Sequence, residues 1–99
     1  MGENSNQDLT KYVAAVRAIT NEQSKIVGES VAFELAKGID GLSFDGKSNI
    51  EITGNPIEVL KNLVERYSIL FGNISIEVSK DAVEHLHLFD PKDLPANLR

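Results

Sequence analysis

The side chains best suited to chemistry in this chain are two histidines, His85 and His87, with Asp81, Glu84 and Asp90 close by. Histidine and carboxylate together form the donor set of a zinc-type site, which needs three or four ligands held in fixed geometry. On a helix His85 and His87 project about 200° apart and cannot share an ion. They converge only in extended chain, so they stand as weak metal candidates. Asp81 and His85, four apart, read instead as a helix surface pair worth about 0.2–0.5 kcal/mol.

Other nucleophiles and phosphate sites fare no better. The letters from Gly41 to Ser48 fit the G-x-x-x-x-G-K-S pattern of a phosphate-cradling loop. That loop opens a helix at its Lys-Ser, whereas Ser48 leads into Ile50-Glu51-Ile52, a strand pattern. Leu42 and Phe44 are also needed as inward-facing strand residues. No serine stands in a Gly-x-Ser-x-Gly elbow, and Ser43, Ser48, Ser68, Ser75 and Ser79 each suit a strand, turn, cap or helix. The carboxylates of Asp40, Asp45, Glu51, Glu58, Glu65 and Glu77 fall at caps, turns and solvent faces. There is no cysteine, which removes disulfides, thiolate metal sites and thiol catalysis together. The expectation is a protein that is not an enzyme and uses no cofactor.

Charge narrows the partners. Ten Lys and Arg are scattered among fifteen Asp and Glu, for a net charge of −5 and no basic block. Phosphate backbones and anionic lipid are gripped by clustered cations, so neither nucleic acid nor membrane is expected as a partner. No apolar run approaches the ~18 residues of a membrane span. The polar, acidic start does not read as a signal peptide, and together with the missing cysteines it fits a cytoplasmic protein.

The elements that would position these residues belong to one domain over residues 8–90, between a disordered start at 1–7 and an extended or disordered tail at 91–99 carrying Pro91 and Pro95. Asp8 can cap a helix running from Leu9 to Lys37. Tyr12, Val16, Ile19, Ile26 and Phe33 follow a seven-residue rhythm along it. As one helix it would be about 43 Å long. Two features compete with that reading: Thr20-Asn21-Glu22-Gln23 fits a capping box for a second start, and Gly28 is a weak point costing ~1 kcal/mol relative to Ala.

After Gly38, Leu42/Phe44 and Ile50/Ile52 flank Asp45-Gly46-Lys47-Ser48 as a β-hairpin. An Asp-Gly two-residue loop would put the two apolar pairs on opposite faces. An odd loop puts all four on one face, either pairing Leu42 with Ile50 or pairing Phe44 with Ile50 and Leu42 with Ile52. Since a one-residue slip flips every side chain, an odd loop is expected. Asn55-Pro56-Ile57-Glu58 then starts a helix, with Asn55 as N-cap and Pro56 in the first turn, which ends near Phe71 before Gly72. Ile74, Ile76 and Val78 alternate with polar residues and read as a third strand. Ser79 reads as the cap of a short helix, Lys80 to Leu88.

The fold expected is therefore α+β in the order α-β-β-α-β-α, with a three-stranded antiparallel or mixed sheet covered by helices. The first helix carries more apolar surface than such a sheet hides. Two-fold pairing is the commonest remedy. The function expected is a non-enzymatic interaction or regulatory module acting as a homodimer through its long N-terminal helix, with a further protein partner as an option. Its interface is read as Tyr12, Val16, Ile19, Ile26 and Phe33. Two alternatives stand beside it. One is a small-molecule sensor with an apolar pocket between the helices, lined by Phe33, Tyr67 and Phe71. The other is a small enzyme or enzyme subunit using His85 or His87.

Overall fold

The computed structural model describes residues 3–46 and 49–99, with side chains from Leu9 onward. Four helices and one hairpin follow in the order α1 (Glu3–Val27), α2 (Glu29–Lys37), β1 (Leu42–Asp45), β2 (Asn49–Ile52), α3 (Pro56–Phe71) and α4 (Asn73–Glu84), and two 3-10 turns, Pro91–Asp93 and Ala96–Leu98, end the chain. This corrects the expected fold: the sheet has two antiparallel strands, not three, and the order is α-α-β-β-α-α.

The apolar rhythm from Leu9 to Lys37 is helical throughout but is broken at Gly28, not at Thr20. The Gly28 amide still donates to the Ser24 carbonyl, and its own carbonyl accepts from Ala32. Between these two bonds its backbone swings to φ 96°, ψ 148°, a region glycine enters without a Cβ penalty. The chain therefore leaves one helix and starts the next within a single residue. A continuous helix would outrun the molecule, whose extents are 40 × 28 × 20 Å. The break lets α2 turn back and bury Ala32 and Ala36 in the core. At the other end α1 begins at Glu3, ahead of the expected cap at Asp8.

The hairpin takes the odd-loop register that its apolar pattern demands. Leu42 pairs with Ile52 and Phe44 with Ile50, and Asp45 opposite Asn49 closes the ladder. Leu42 and Ile52 are buried against the helices, and Phe44 meets Phe33 of α2 edge to face at 5.5 Å and 75°. The strand backbone and the helix-start rule both argue against phosphate binding at Gly41–Ser48, although Lys47 and Ser48 themselves lie outside the described residues.

Helix α3 runs between the punctuation marks that define it. Asn55 Oδ1 accepts from the amides of Ile57 (2.9 Å) and Glu58 (3.4 Å), satisfying donors that have no partner within the helix. Its buried face is Val59, Leu60, Leu63, Val64 and Tyr67.

The segment expected as a third strand is the first half of α4. The buried positions there are Ser75, Ser79, Ala82 and Val83, spaced by four, three and one as a helix requires. The apolar residues that suggested alternation do not form the inner face, and Ile74 is largely exposed. Serine hides here because Gln23 of α1 sits opposite. Its Nε2 donates to the Ser75 carbonyl (3.1 Å) and to Ser79 Oγ (3.2 Å), and Ser75 Oγ donates to Gln23 Oε1 (3.4 Å). Small hydroxyls let two helices approach while one glutamine satisfies the polar groups this leaves inside. Ser79 is thus mid-helix and not a cap.

The tail, expected to be extended or disordered, folds back in two 3-10 turns. Tyr12 Oη donates to the Asp93 carbonyl at 2.6 Å, Lys11 pairs with the Asp93 carboxylate at 3.1 Å, and Asn97 donates to the Lys61 carbonyl. Leu94 and Leu98 are buried in the common core, and Phe89 lies edge to face on Tyr12 at 5.2 Å. The prolines prevent a regular helix, but the leucines between them still find the core.

Candidate functional site

The structure divides the five residues read as an interface seam. Tyr12, Val16 and Ile19 are buried in the core of their own chain. The space opposite them is taken by α3, α4 and the folded-back tail. Ile26, beyond the core on the last turn of α1, is 53 % exposed. Phe33 is half-buried on Phe44. A continuous seam along α1 is therefore not presented to solvent.

A different surface is. The large apolar side chains most exposed among the described residues include Ile69 (76 %), Ile74 (62 %) and Leu70 (55 %). They flank Gly72, the single residue that closes α3 and opens α4. The Gln23–Ser75 bond brings the end of α1, with Ile26, to this corner. The Tyr67 hydroxyl, donating to the Ala32 carbonyl at 2.7 Å, brings α2 with its exposed Val31 to the same end. The α3–α4 junction thus carries Ile69, Leu70 and Ile74 outward. The sequence reading placed Leu70 on the flank of the α3 stripe and Ile74 inside a sheet. The available signal was charge: the longest uncharged stretch of the chain lies between Arg66 and Glu77.

The histidines take separate positions. His85 caps the C-terminus of α4, and His87 follows with φ 54° in the turn beyond. His85 Nδ1 stands 2.8 Å from the Asp81 carbonyl. A carbonyl only accepts, so Nδ1 is the donor in this bond. The i,i+4 relation with Asp81 is therefore made to its backbone and not to its carboxylate. Among the described residues no three His, Asp or Glu side chains gather in a way that could hold a metal ion. His85 does line an open groove of about 740 Å³ between α1 and α4, together with Glu22, Lys25 and Asp81. Glu22 and Lys25 are already paired to each other at 3.0 Å.

The three aromatic residues expected around a sensor pocket are divided: Phe33 lines an open groove of about 340 Å³ with Lys37 and Phe44, and Phe71 is half-buried. Tyr67 is fully buried, and burial pushes its phenol up to about 12 from 10.0, a rise tempered by the nearby Thr20 hydroxyl. Thr20 Oγ1 is close enough to Tyr67 to be felt but forms no well-shaped hydrogen bond. The sign follows from which state holds the proton longer. Above pH 10 the unfolded phenol ionises while the folded one stays neutral. Stability is thus full below pH 10 and falls toward pH 12, by at most about 1.4 kcal/mol per pH unit. Urea unfolding between pH 9 and 12 is expected to show this decline, and Tyr67→Phe to flatten it. A Tyr67→Phe profile parallel to the wild type would count against the assignment.

No helix among the described residues is long and apolar enough to cross a membrane. No protein-family model, curated protein or solved structure matches the chain, so its site is read from its own residues.

Proposed function

We propose that this chain is a non-enzymatic interaction module that works as a homodimer. The observation that carries the reading is the set of large apolar side chains left outward among the described residues, Ile69, Ile74, Leu70 and Ile26 foremost. Side chains of this size gain about 1.5–3 kcal/mol each when covered, and a contiguous apolar surface rimmed by polar residues is the usual mark of a docking face. The long first helix contributes through its last turn, since its middle is occupied by the domain itself.

The test is mass in solution. Multi-angle light scattering at high micromolar concentration is expected to give twice the monomer mass, with a concentration-dependent return to monomer on dilution. A clean monomer across that range overturns the proposal.

A further inference from the structure

We infer that the C-terminal tail is exchanged between two copies: residues 88–99 of each chain leave their own domain and fill the same groove on the other. This rests on the homodimer reading and names the segment that holds the two chains together.

The groove and its occupant are both visible in the single chain. Tyr12 on α1 donates to the Asp93 carbonyl (2.6 Å), Lys11 pairs with the Asp93 carboxylate (3.1 Å), and the Asn97 amide donates to the Lys61 carbonyl on α3 (3.2 Å). The Lys11 ammonium also stands 5.0 Å from the centre of the Phe89 ring, and Leu94 and Leu98 are buried. These bonds join the tail to helices remote in sequence, so the tail of another copy satisfies them equally well. Exchange loses none of them. What decides between a closed monomer and an exchanged dimer is therefore the connector.

The connector is strained in the closed form. Helices α1, α2 and α3 each stop at a glycine, Gly28, Gly38 and Gly72. Helix α4 instead stops at His85, and His87 turns the chain back with φ 54°, alone among the described non-glycine residues in having a positive φ. A Cβ is strained in that conformation. His85 is already right-handed, with φ −65° and ψ −18°, and neither glycine nor proline stands between Glu84 and Pro91. Moving His87 to the right-handed region removes the strain, lets α4 continue toward Asp90 and carries the tail away from its own groove. The His87 side chain is exposed, so no packing opposes the change. Short connectors under strain are the kind that favour exchange.

Area points the same way. The exposed apolar side chains alone fall short of the roughly 20–30 residues a side of a standard interface. Two exchanged tails supply the covered surface that is missing. Tyr12, read from the sequence as part of a dimer seam, is then covered by the tail of a second chain.

The test uses the full-length protein, which lacks cysteine. Lys61 and Ala96 are exposed, and Ala96 adjoins the Asn97–Lys61 bond. Lys61→Cys and Ala96→Cys chains, equilibrated together at high micromolar concentration and treated with a short bismaleimide, are expected to form a covalent pair containing one of each. Its yield should be at least tenfold that of either variant alone. His87→Gly is expected to weaken dimerisation at least tenfold by sedimentation, because each dimer relaxes two connectors, and His87→Val to strengthen it by as much. A wild-type dimer whose mixed variants do not pair, while the Lys61→Cys/Ala96→Cys double variant links within each chain, overturns the exchange and leaves the homodimer reading standing. A dimer constant unchanged in both His87 variants does the same. A monomeric wild type overturns both.

Discussion

Gly41→Ala is expected to destabilise this domain by roughly 2–4 kcal/mol, the largest loss among the described glycines. Two costs combine. Gly41 has φ 84°, where an L-residue is strained by about 1–2 kcal/mol. Its Cβ would also stand 2.6 Å from the Thr53 carbonyl oxygen and 3.1 Å from Val59 Cγ2. The first neighbour is backbone and cannot rotate away. The Gly41 carbonyl accepts from the Thr53 amide at 2.8 Å, so any shift that relieves the clash loosens the bond that closes the base of the hairpin. Gly54 supplies the control: its φ is 82°, and a Cβ there meets nothing within 4 Å. Gly54→Ala should cost only the backbone strain. Urea unfolding of both variants separates the two terms, and equal losses would show that close approach is not what position 41 demands.

That contrast also shows why some of the fold was legible and some was not. Helix α3 could be read to its ends because both are marked by residues with a local mechanism, Asn55-Pro56 at the start and Gly72 at the close. The hairpin register was legible because four apolar residues had to share a face, and only an odd loop allowed it. Both are arguments in which sequence neighbours decide. The errors arise where the deciding residue is far away in sequence. Ser75 and Ser79 look like the outer face of a strand until Gln23 is placed opposite them, and nothing local to residues 73–84 announces that partner. Tyr12 and Asp93 likewise meet across most of the chain's length. A seam along α1 was readable as apolar, but whether a second chain or the chain's own tail covers it is a tertiary question.

The candidate site was least legible for the same reason. Leu70 and Ile74 are ordinary apolar letters, and a helix or strand stripe absorbs them easily. They matter because the angle between α3 and α4 turns them outward, and that angle is set by Gly72 together with the way α4 is seated on α1. The small, uncapped junction and the missing charges around it were visible in the sequence. Their meaning depends on the junction being a corner.

The seating of α4 leads to the other large effect, at Gln23. Gln23→Leu nearly preserves volume but removes the partner of Ser75 Oγ and Ser79 Oγ, both on residues buried to 1 % exposure or less. Leaving buried polar groups without partners costs about 1–3 kcal/mol, and Gln23→Ala adds a cavity term that raises the total to roughly 2–4 kcal/mol. Removing the hydroxyls as well should reverse much of the damage, since replacing both sides of a buried polar contact with apolar groups is near neutral. Gln23→Leu combined with Ser75→Ala and Ser79→Ala is therefore expected to be more stable than Gln23→Leu alone. A simple sum of the separate losses would show that the cluster is not a coupled unit. The triple variant also separates stability from position. The polar cluster ties one face of α4, that of Ser75 and Ser79, to Gln23 of α1. An apolar replacement packs without that directional constraint. On the proposed homodimer reading, the triple variant should keep its melting temperature within a few degrees of wild type while any self-association, measured by sedimentation, weakens. Unchanged dimerisation in a stable triple variant would place the orientation of α4 in the apolar packing of Ala82 and Val83 instead.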